Sequence, residues 1–334
     1  MTNLKRPSRD DVARRAGVSG WTVSQVLNAG SRFPITEETR ARVLAAARDL
    51  GYRPNHMARA LVTGNMGLVS LWMGSMSPYY SLVARCLQKH LRRHGLPMLI
   101  TELDGRAEEV SPLSWSVDGI IVVDYPEYFR AFLKAHPRLT VPFVSIGDYY
   151  IKDGDYVGVD LRSGAQEAMA HLFSLGRRRV VFVREDKRET DPATMCEARF
   201  DVYTMRMSQA GLTPEYLSAT SRAEARQSIQ TWIDRNGIPD AVFCHNDDLA
   251  MGVYRGLCDA GIRVPEEVAL LGCDGIEDVE YLERPLTTIV QPVEQMCALG
   301  WEYLSRRLAD PTAPAQQVVL KPELVIRAST RCGL

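Results

Sequence analysis

From Leu68 onward, short apolar runs alternate with amphipathic stretches of helical length. The runs "GLVSLWM", "PMLIT", "DGIIVVD", "PFVSIG", "RVVFV", "AVFCHN" and "VALLGCDG" are short and rich in β-branched side chains, as buried strands are. Between most of them lie helical patterns: "YYSLVARCLQKHLRRHG", "YFRAFLKAH", "SGAQEAMAHLFSLG", "ARFDVYTMRMSQAG" and "DLAMGVYRGLCDAG". Strands apolar on both faces need helices on both faces, so the alternation predicts parallel sheets with crossover helices. In such an α/β fold, ligands sit beyond the carboxyl ends of the strands.

At 334 residues the chain is long enough for two or three domains. No apolar run approaches the ~20 residues that span a bilayer. The opening "MTNLKRPSRDD" is polar, with no apolar core of a signal peptide. The seven cysteines are scattered and form no C-x-x-C, which predicts a reducing, cytoplasmic setting without a disulfide or zinc framework. The six histidines show no metal spacing, and no Walker loop, G-x-S-x-G, G-x-G-x-x-G or H-E-x-x-H is present. The reading is therefore of a protein without a cofactor or metal, and not of an enzyme.

The net charge of −1 hides an asymmetry. Residues 1–62 hold eleven Lys and Arg against five Asp and Glu, a balance of +6, and the remainder is −7. A basic head on an acidic body suits a polyanionic partner, although a solvated basic surface would look the same.

The head reads as three helices. Ser8 caps the first, with Asp11 as its reciprocal partner, and Gly17 stops it. Ser19 caps the second, in which Val23, Val26 and Leu27 face inward. Thr36 caps a third, "TEETRARVLAAARDL", whose predicted buried side is Val43, Leu44, Ala47 and Leu50. A small residue at Ala13, a turn glycine at Gly17 and a β-branched Val23 complete the spacing of a helix-turn-helix. Its second helix would present Gly20, Trp21 and Gln25 to base edges, with Ser19, Thr22 and Ser24 placed for phosphates. Gln25 can bond adenine N6 and N7 together. Trp21 can lie against a thymine methyl or a sugar edge, or else pack within the head.

The residues "DDVARRAGVSGWTVSQVLN", followed by "TRARVLAAARDLGYRPNHMARAL", resemble the lactose-repressor/galactose-repressor (LacI/GalR) family of bacterial transcription regulators. The resemblance continues through "DLRSGAQEAMAHLFSLGRRRVVFV", "FCHNDDLAMGVYRGLCDAGIRVPEEVALLGCDGIE" and "YLERPLTTIVQP". It departs where Gln25 replaces the family's usual Arg, and where the loop before Thr36 is longer. It implies a helix-turn-helix head over 1–53, a hinge helix over 54–65, and a two-lobed, periplasmic-binding-protein-like core over 66–334. The first lobe would take about 66–161 and 291–320, and the second about 162–290 and the C-terminal tail. Asn28, Arg32, Asn55 and Arg59 join the implied DNA-contacting set. Leu61 matches a leucine that wedges into a minor-groove step and kinks the duplex.

The resemblance also implies a cleft for a small polar effector, a sugar or sugar derivative above all. Arg199, in "ARFDVY", matches an arginine that holds a hydroxyl or carboxylate, a task suited to its fork of donors. Asn246 and Asp274, at strand ends, could share vicinal hydroxyls or merely cap turns. Asp248, Tyr79, Tyr80, Asp148 and Gln291 complete the candidate set, the two tyrosines as rings that stack on a sugar face with one of them expected in the core. Gly74 and Gly147 stand where the family often has acidic residues, which predicts a first lobe that holds its ligand through rings and backbone. Trp115 could cover the cleft edge or lie at a dimer face or in the core. The expectation is a cytoplasmic, sequence-specific DNA-binding regulator, a repressor before an activator. It would bind a near-palindromic double-stranded operator as a homodimer, under allosteric control and without a membrane. The alternatives are a solute-binding or enzymatic α/β protein with an appended DNA-binding head, and a constitutive binder that ignores effectors.

Overall fold

The computed structural model describes residues 7–27, 33–52, 66–103, 117–124, 126–137, 141–185 and 197–331. The predicted hinge helix over 54–65, and with it Asn55, Arg59 and Leu61, lies outside the described residues, as do Asn28, Arg32 and Trp115. The chain divides into two units, Met1–Gly67 and Leu68–Leu334.

The first unit holds α1 (Arg9–Ala16), α2 (Gly20–Leu27) and α3 (Glu37–Asp49). Ser8 and Asp11 close a reciprocal capping box on α1, and Gly17 ends it at φ 66°, a conformation that glycine adopts without a Cβ penalty. The Ser19 hydroxyl accepts from the Thr22 amide at 3.1 Å, and Thr36 accepts from the Thr39 amide at 3.3 Å. The small core consists of Val12, Ala13, Ala16, Val23, Val26, Val43, Ala46 and Ala47. Leu44, expected inside, is 40% exposed. One residue turns a helix by about 100°, so Leu44 rotates off the face that Val43 sets, and Ala46 and Ala47 occupy that face instead.

The second unit is built on two six-stranded sheets, in the orders β11-β5-β4-β3-β1-β2 and β12-β10-β9-β8-β6-β7. The first sheet comprises β1 (Val69–Met73), β2 (Met98–Glu102), β3 (Gly119–Val123), β4 (Phe143–Gly147), β5 (Asp155–Val159) and β11 (Gln317–Leu320), all paired parallel. The second comprises β6 (Val180–Glu185), β7 (Glu215–Ala219), β8 (Ala241–Cys244), β9 (Ala269–Asp274), β10 (Thr287–Val290) and β12 (Glu323–Val325). Only β12 runs antiparallel to its neighbour among these described strands.

The crossovers are α4 (Pro78–Arg93), α5 (Pro126–Ala135), α6 (Leu161–Ser174), α7 (Ala198–Gln209), α8 (Arg222–Asn236) and α9 (Asp247–Asp259). After β10 the chain returns to the first sheet through α10 (Val293–Ala309), which packs on α4 and on β3, β4 and β5. It then adds β11 to the first sheet and β12 to the second, so it passes between the lobes three times. Central strands β1, β3, β8 and β9 are buried at every position, as strands covered on both faces must be. No helix among the described residues is long and apolar enough to cross a membrane.

Candidate ligand cleft and nucleic-acid interface

A cavity of about 260 Å³ opens at the carboxyl ends of both sheets. The first lobe lines it with Ser75, Ser77, Tyr79 and Tyr80 after β1, Asp124 after β3, and Asp148 and Tyr149 after β4. The second contributes Glu185, Thr220, His245, Asn246 and Asp274 from the ends of β6, β7, β8 and β9, with Arg199 from α7. Gln291 sits where the chain leaves β10 for the first lobe. All eight effector candidates therefore line one cavity: Tyr79, Tyr80, Asp148, Arg199, Asn246, Asp248, Asp274 and Gln291.

Arg199 is buried, and its charge is answered from within the protein. Its Nε donates to Glu197 Oε1 at 2.6 Å, and Nη1 reaches Cys273 Sγ at 3.5 Å. Asp148 Oδ2 lies 3.8 Å from Nη2. Glu197 also caps α7, accepting from the amides of Arg199 and Phe200. Burial opposes its charge, but Arg199 and His245 outweigh burial and hold its carboxyl well below the usual range. His245 Nε2 stands 3.2 Å from Arg199 Nη2 and 3.3 Å from Glu185 Oε2. Burial and Arg199 press the imidazole pKa down, while Glu197 and Glu185 carry it above its ordinary value.

The acids on the first lobe have a different balance. Burial lifts the Asp148 carboxyl to about 7 against the pull of Arg199. Its Oδ2 is fully buried and accepts no hydrogen bond, and the buried Tyr149 hydroxyl likewise has no partner. Asp124 Oδ1 accepts from the amides of Asp148 and Tyr149, at 2.7 and 3.2 Å.

Asp124 adds a second carboxylate beside Asp148 on a lobe expected to rely on rings and backbone more than on carboxylates. Gly147 leaves room for it: at φ 114° it adopts a backbone that disfavours side chains, and a Cβ there would collide with the Asp124 carboxylate. One of the two tyrosines was expected in the core, and both belong to it. Both are buried, packed edge to face at 5.3 Å, and both line the cavity.

The Tyr79 hydroxyl donates to Gln291 Oε1 at 3.2 Å, and Gln291 Nε2 donates to Asp274 Oδ1 at 3.0 Å. Asp274 holds φ 124°, a strained value for a residue with a Cβ. The turn beyond it is fixed by buried Asp247, which accepts from the amides of Gly275 and Ile276 at 2.7 and 3.1 Å and from the Thr288 hydroxyl at 2.6 Å. Burial raises the Asp247 carboxyl to about 7 even against those three donors. Asn246 performs the capping role that the sequence left open, its Oδ1 accepting from the Leu249 amide at 2.8 Å. Asp248 is held at the rim by Arg222 Nη2 at 2.5 Å.

Sequence reasoning missed Ser75, Ser77, Asp124, Tyr149, Glu185, Thr220 and His245 on the wall, with Glu197 and Asp247 behind it. Their one shared signal is position, immediately after an apolar run or at a helix cap.

In the head, Ser19, Gly20, Trp21, Thr22, Ser24 and Gln25 fall on the first two turns of α2 and its cap. Ser19 and Thr22 hydroxyls lie 2.9 Å apart, and the Ser24 hydroxyl donates back to the Gly20 carbonyl at 3.1 Å. Trp21 is 54% exposed and its ring meets that of Phe33 edge to face, centroids 5.1 Å apart.

Residues 10–55 match the model for bacterial regulatory proteins of the lacI family, and residues 169–330 that of a periplasmic binding protein-like domain. The ribose operon repressor of Escherichia coli K12 is 30% identical over 333 residues, which cover 96% of this chain and 98% of that one. A LacI family transcriptional regulator from Silicibacter pomeroyi superposes with a TM-score of 0.77 at 27% identity, over 98% of this chain and all of that one. The lac repressor dimer bound to operator and an anti-inducer shares the fold at a TM-score of 0.77 and 23% identity, over 98% and 100% of the two chains. The capped three-helix head, the strand-end cleft of two parallel sheets and this full-length kinship lead to one conclusion: the chain belongs to the lacI family of bacterial regulatory proteins, and is a DNA-binding transcriptional regulator and not an enzyme.

Proposed function

We propose that the protein is a cytoplasmic homodimeric repressor whose cleft binds a neutral polyhydroxylated effector of the sugar class. The head over 1–53 reads a near-palindromic operator through Trp21 and Gln25, with Ser19 and Thr22 at the backbone. Residues 54–65 form the hinge, with Leu61 as its wedge, and 66–334 sense the effector and dimerise. A ligand that favours one arrangement of the two lobes shifts the operator-binding equilibrium by its differential affinity, typically ~1–3 kcal/mol.

The observation that carries the effector class is the carboxyl-rich lining of the cleft. Asp124, Asp148, Glu185 and Asp274 face the cavity, while Arg199 is neutralised by Glu197 and Asp148. A phosphate or carboxylate would meet carboxyl oxygens, and the arginine among the described lining residues is already paired with Glu197. Hydroxyl groups supply the donor that the buried Asp148 Oδ2 lacks. The ribose operon repressor, named for a neutral sugar, supports the same class.

The test is a thermal-shift panel on the full-length protein, in which each pentose and hexose is paired with its phosphate ester. Stabilisation by a neutral member and none by its ester is the expected result. Preference for the ester overturns the assignment. The hit is then added to an operator-binding assay, where it must change affinity.

A further inference from the structure

The head carries an aromatic pair that no fold requirement explains. Trp21, the second residue of α2, and Phe33, four residues before α3, meet edge to face with ring centroids 5.1 Å apart. They are 54% and 56% exposed. The helical core below them is complete without them, filled by Val12, Ala16, Val23, Val26 and Val43. Two large rings in water weaken a small domain's solubility unless a partner covers them.

The partner must tolerate the +6 balance of residues 1–62, which fits nucleic acid and disfavours most protein surfaces. At the start of a recognition helix the surface on offer is the major groove. Its base edges are hydrogen-bonding groups with one exception, the thymine C5 methyl. We propose that Trp21 and Phe33 act as one apolar reader of a thymine methyl in each half-site, with Phe33 a positioning residue that fixes the indole by packing against it. This rests on the reading of α2 as the DNA-contacting helix and adds the base chemistry and the second residue.

The geometry gives the pair a division of labour. Trp21 is anchored by the capped first turn of α2, where Ser19 holds the Thr22 amide. Phe33 approaches from the segment before α3, so the ring-to-ring contact fixes the indole from a second direction. A lone exposed indole would sample several rotamers and lose entropy on binding, and a packed one has lost part of it already.

The experiment begins with selection from random duplex DNA by the full-length protein. Each thymine of the selected site is then replaced in turn by deoxyuridine, which removes one methyl and leaves pairing unchanged. Wild type should lose about fourfold in affinity at one thymine of each half-site, the worth of one methyl-sized group taken out of water. Trp21→Ala should abolish that difference, and Phe33→Ala should shrink it while Phe33→Leu restores part of it. Melting curves of each variant confirm that the head is folded.

A selected site with no uridine effect at any thymine overturns this inference alone. So does an undiminished effect in Trp21→Ala. An undiminished effect in Phe33→Ala removes Phe33 from the reader. Failure to select any sequence overturns the assignment of α2 and this inference with it.

Discussion

Asp148 shows how one residue reports its surroundings. Its carboxyl is raised by burial to about 7, while an unfolded chain holds it near the ordinary ~3.9. Between those values the unfolded chain releases a proton that the folded one keeps, so stability falls as pH rises from about 4 to about 7 and levels off above. Asp247, also raised to about 7, adds a contribution of the same sign. Asp148→Asn should therefore flatten part of that decline and stabilise the free protein at pH 8 by about 1–3 kcal/mol, measured by denaturant unfolding across pH. A decline as steep as wild type would show that Asp148 titrates normally.

Arg199 gives a second test at this scale. Its removal takes from the buried Glu197 the guanidinium that answers it and from Asp148 its nearby cation, a loss of about 3–5 kcal/mol for a broken buried pair. Arg199→Ala should abolish the effector response while operator binding without effector persists at a temperature where the variant is folded. Loss of operator binding by the folded variant would make Arg199 structural.

At the scale of elements, legibility followed periodicity. The central strands were plain in "GIIVV", "AVFC" and "ALLGCD" because burial on both faces leaves an unbroken apolar run. Edge strand β7, "EYLSA", hides inside polar sequence because only alternate residues face the core. Strand β5 was missed because "DYVGV" sets a buried Asp155 at its start, and that acid is answered by a partner 152 residues away: Arg307 donates Nε to Oδ2 at 2.9 Å. No local pattern announces such a pair. Helix α8 buries only Ala225 and Ile229, too narrow a stripe to see.

What α8 lacks in apolar surface it replaces by close approach to α9. A Cβ on Gly252 would strike the Arg222 carbonyl, and one on Gly256 would strike the Arg226 carbonyl and Ile229. Gly256→Ala must push the two helices apart, and we expect a loss of about 1–3 kcal/mol in thermal or denaturant unfolding. An unchanged midpoint would mean that α8 moves freely. Arg222 on α8 carries Asp248 at the cleft rim, so a shifted α8 should also weaken effector binding.

For the molecule as a whole, the question is how a cleft between two lobes can act as a switch. The lobes divide the work unequally. The second brings Arg199, Glu197, His245 and Asp274, and the first brings acids and rings. Residues of both lobes line the cavity, so a ligand bonded to both favours whichever arrangement sets them at its own length. The hydrogen bond from the Tyr79 hydroxyl to Gln291 ties the first lobe to the crossover segment. Gln291 passes that tie to Asp274 at the end of β9. A link that holds in one arrangement and must adjust in another biases the equilibrium by its net worth, about 0.5–1.5 kcal/mol. Tyr79→Phe keeps the ring and its packing on Tyr80 and deletes that link alone. The variant should therefore change the effector concentration for half-maximal operator release by about two- to tenfold, with a smaller change in operator affinity without effector. Titration of a labelled operator against effector separates the two quantities. Equal shifts in both would place Tyr79 in the general stability of the core, and no shift in either would show that the tie between the lobes lies elsewhere.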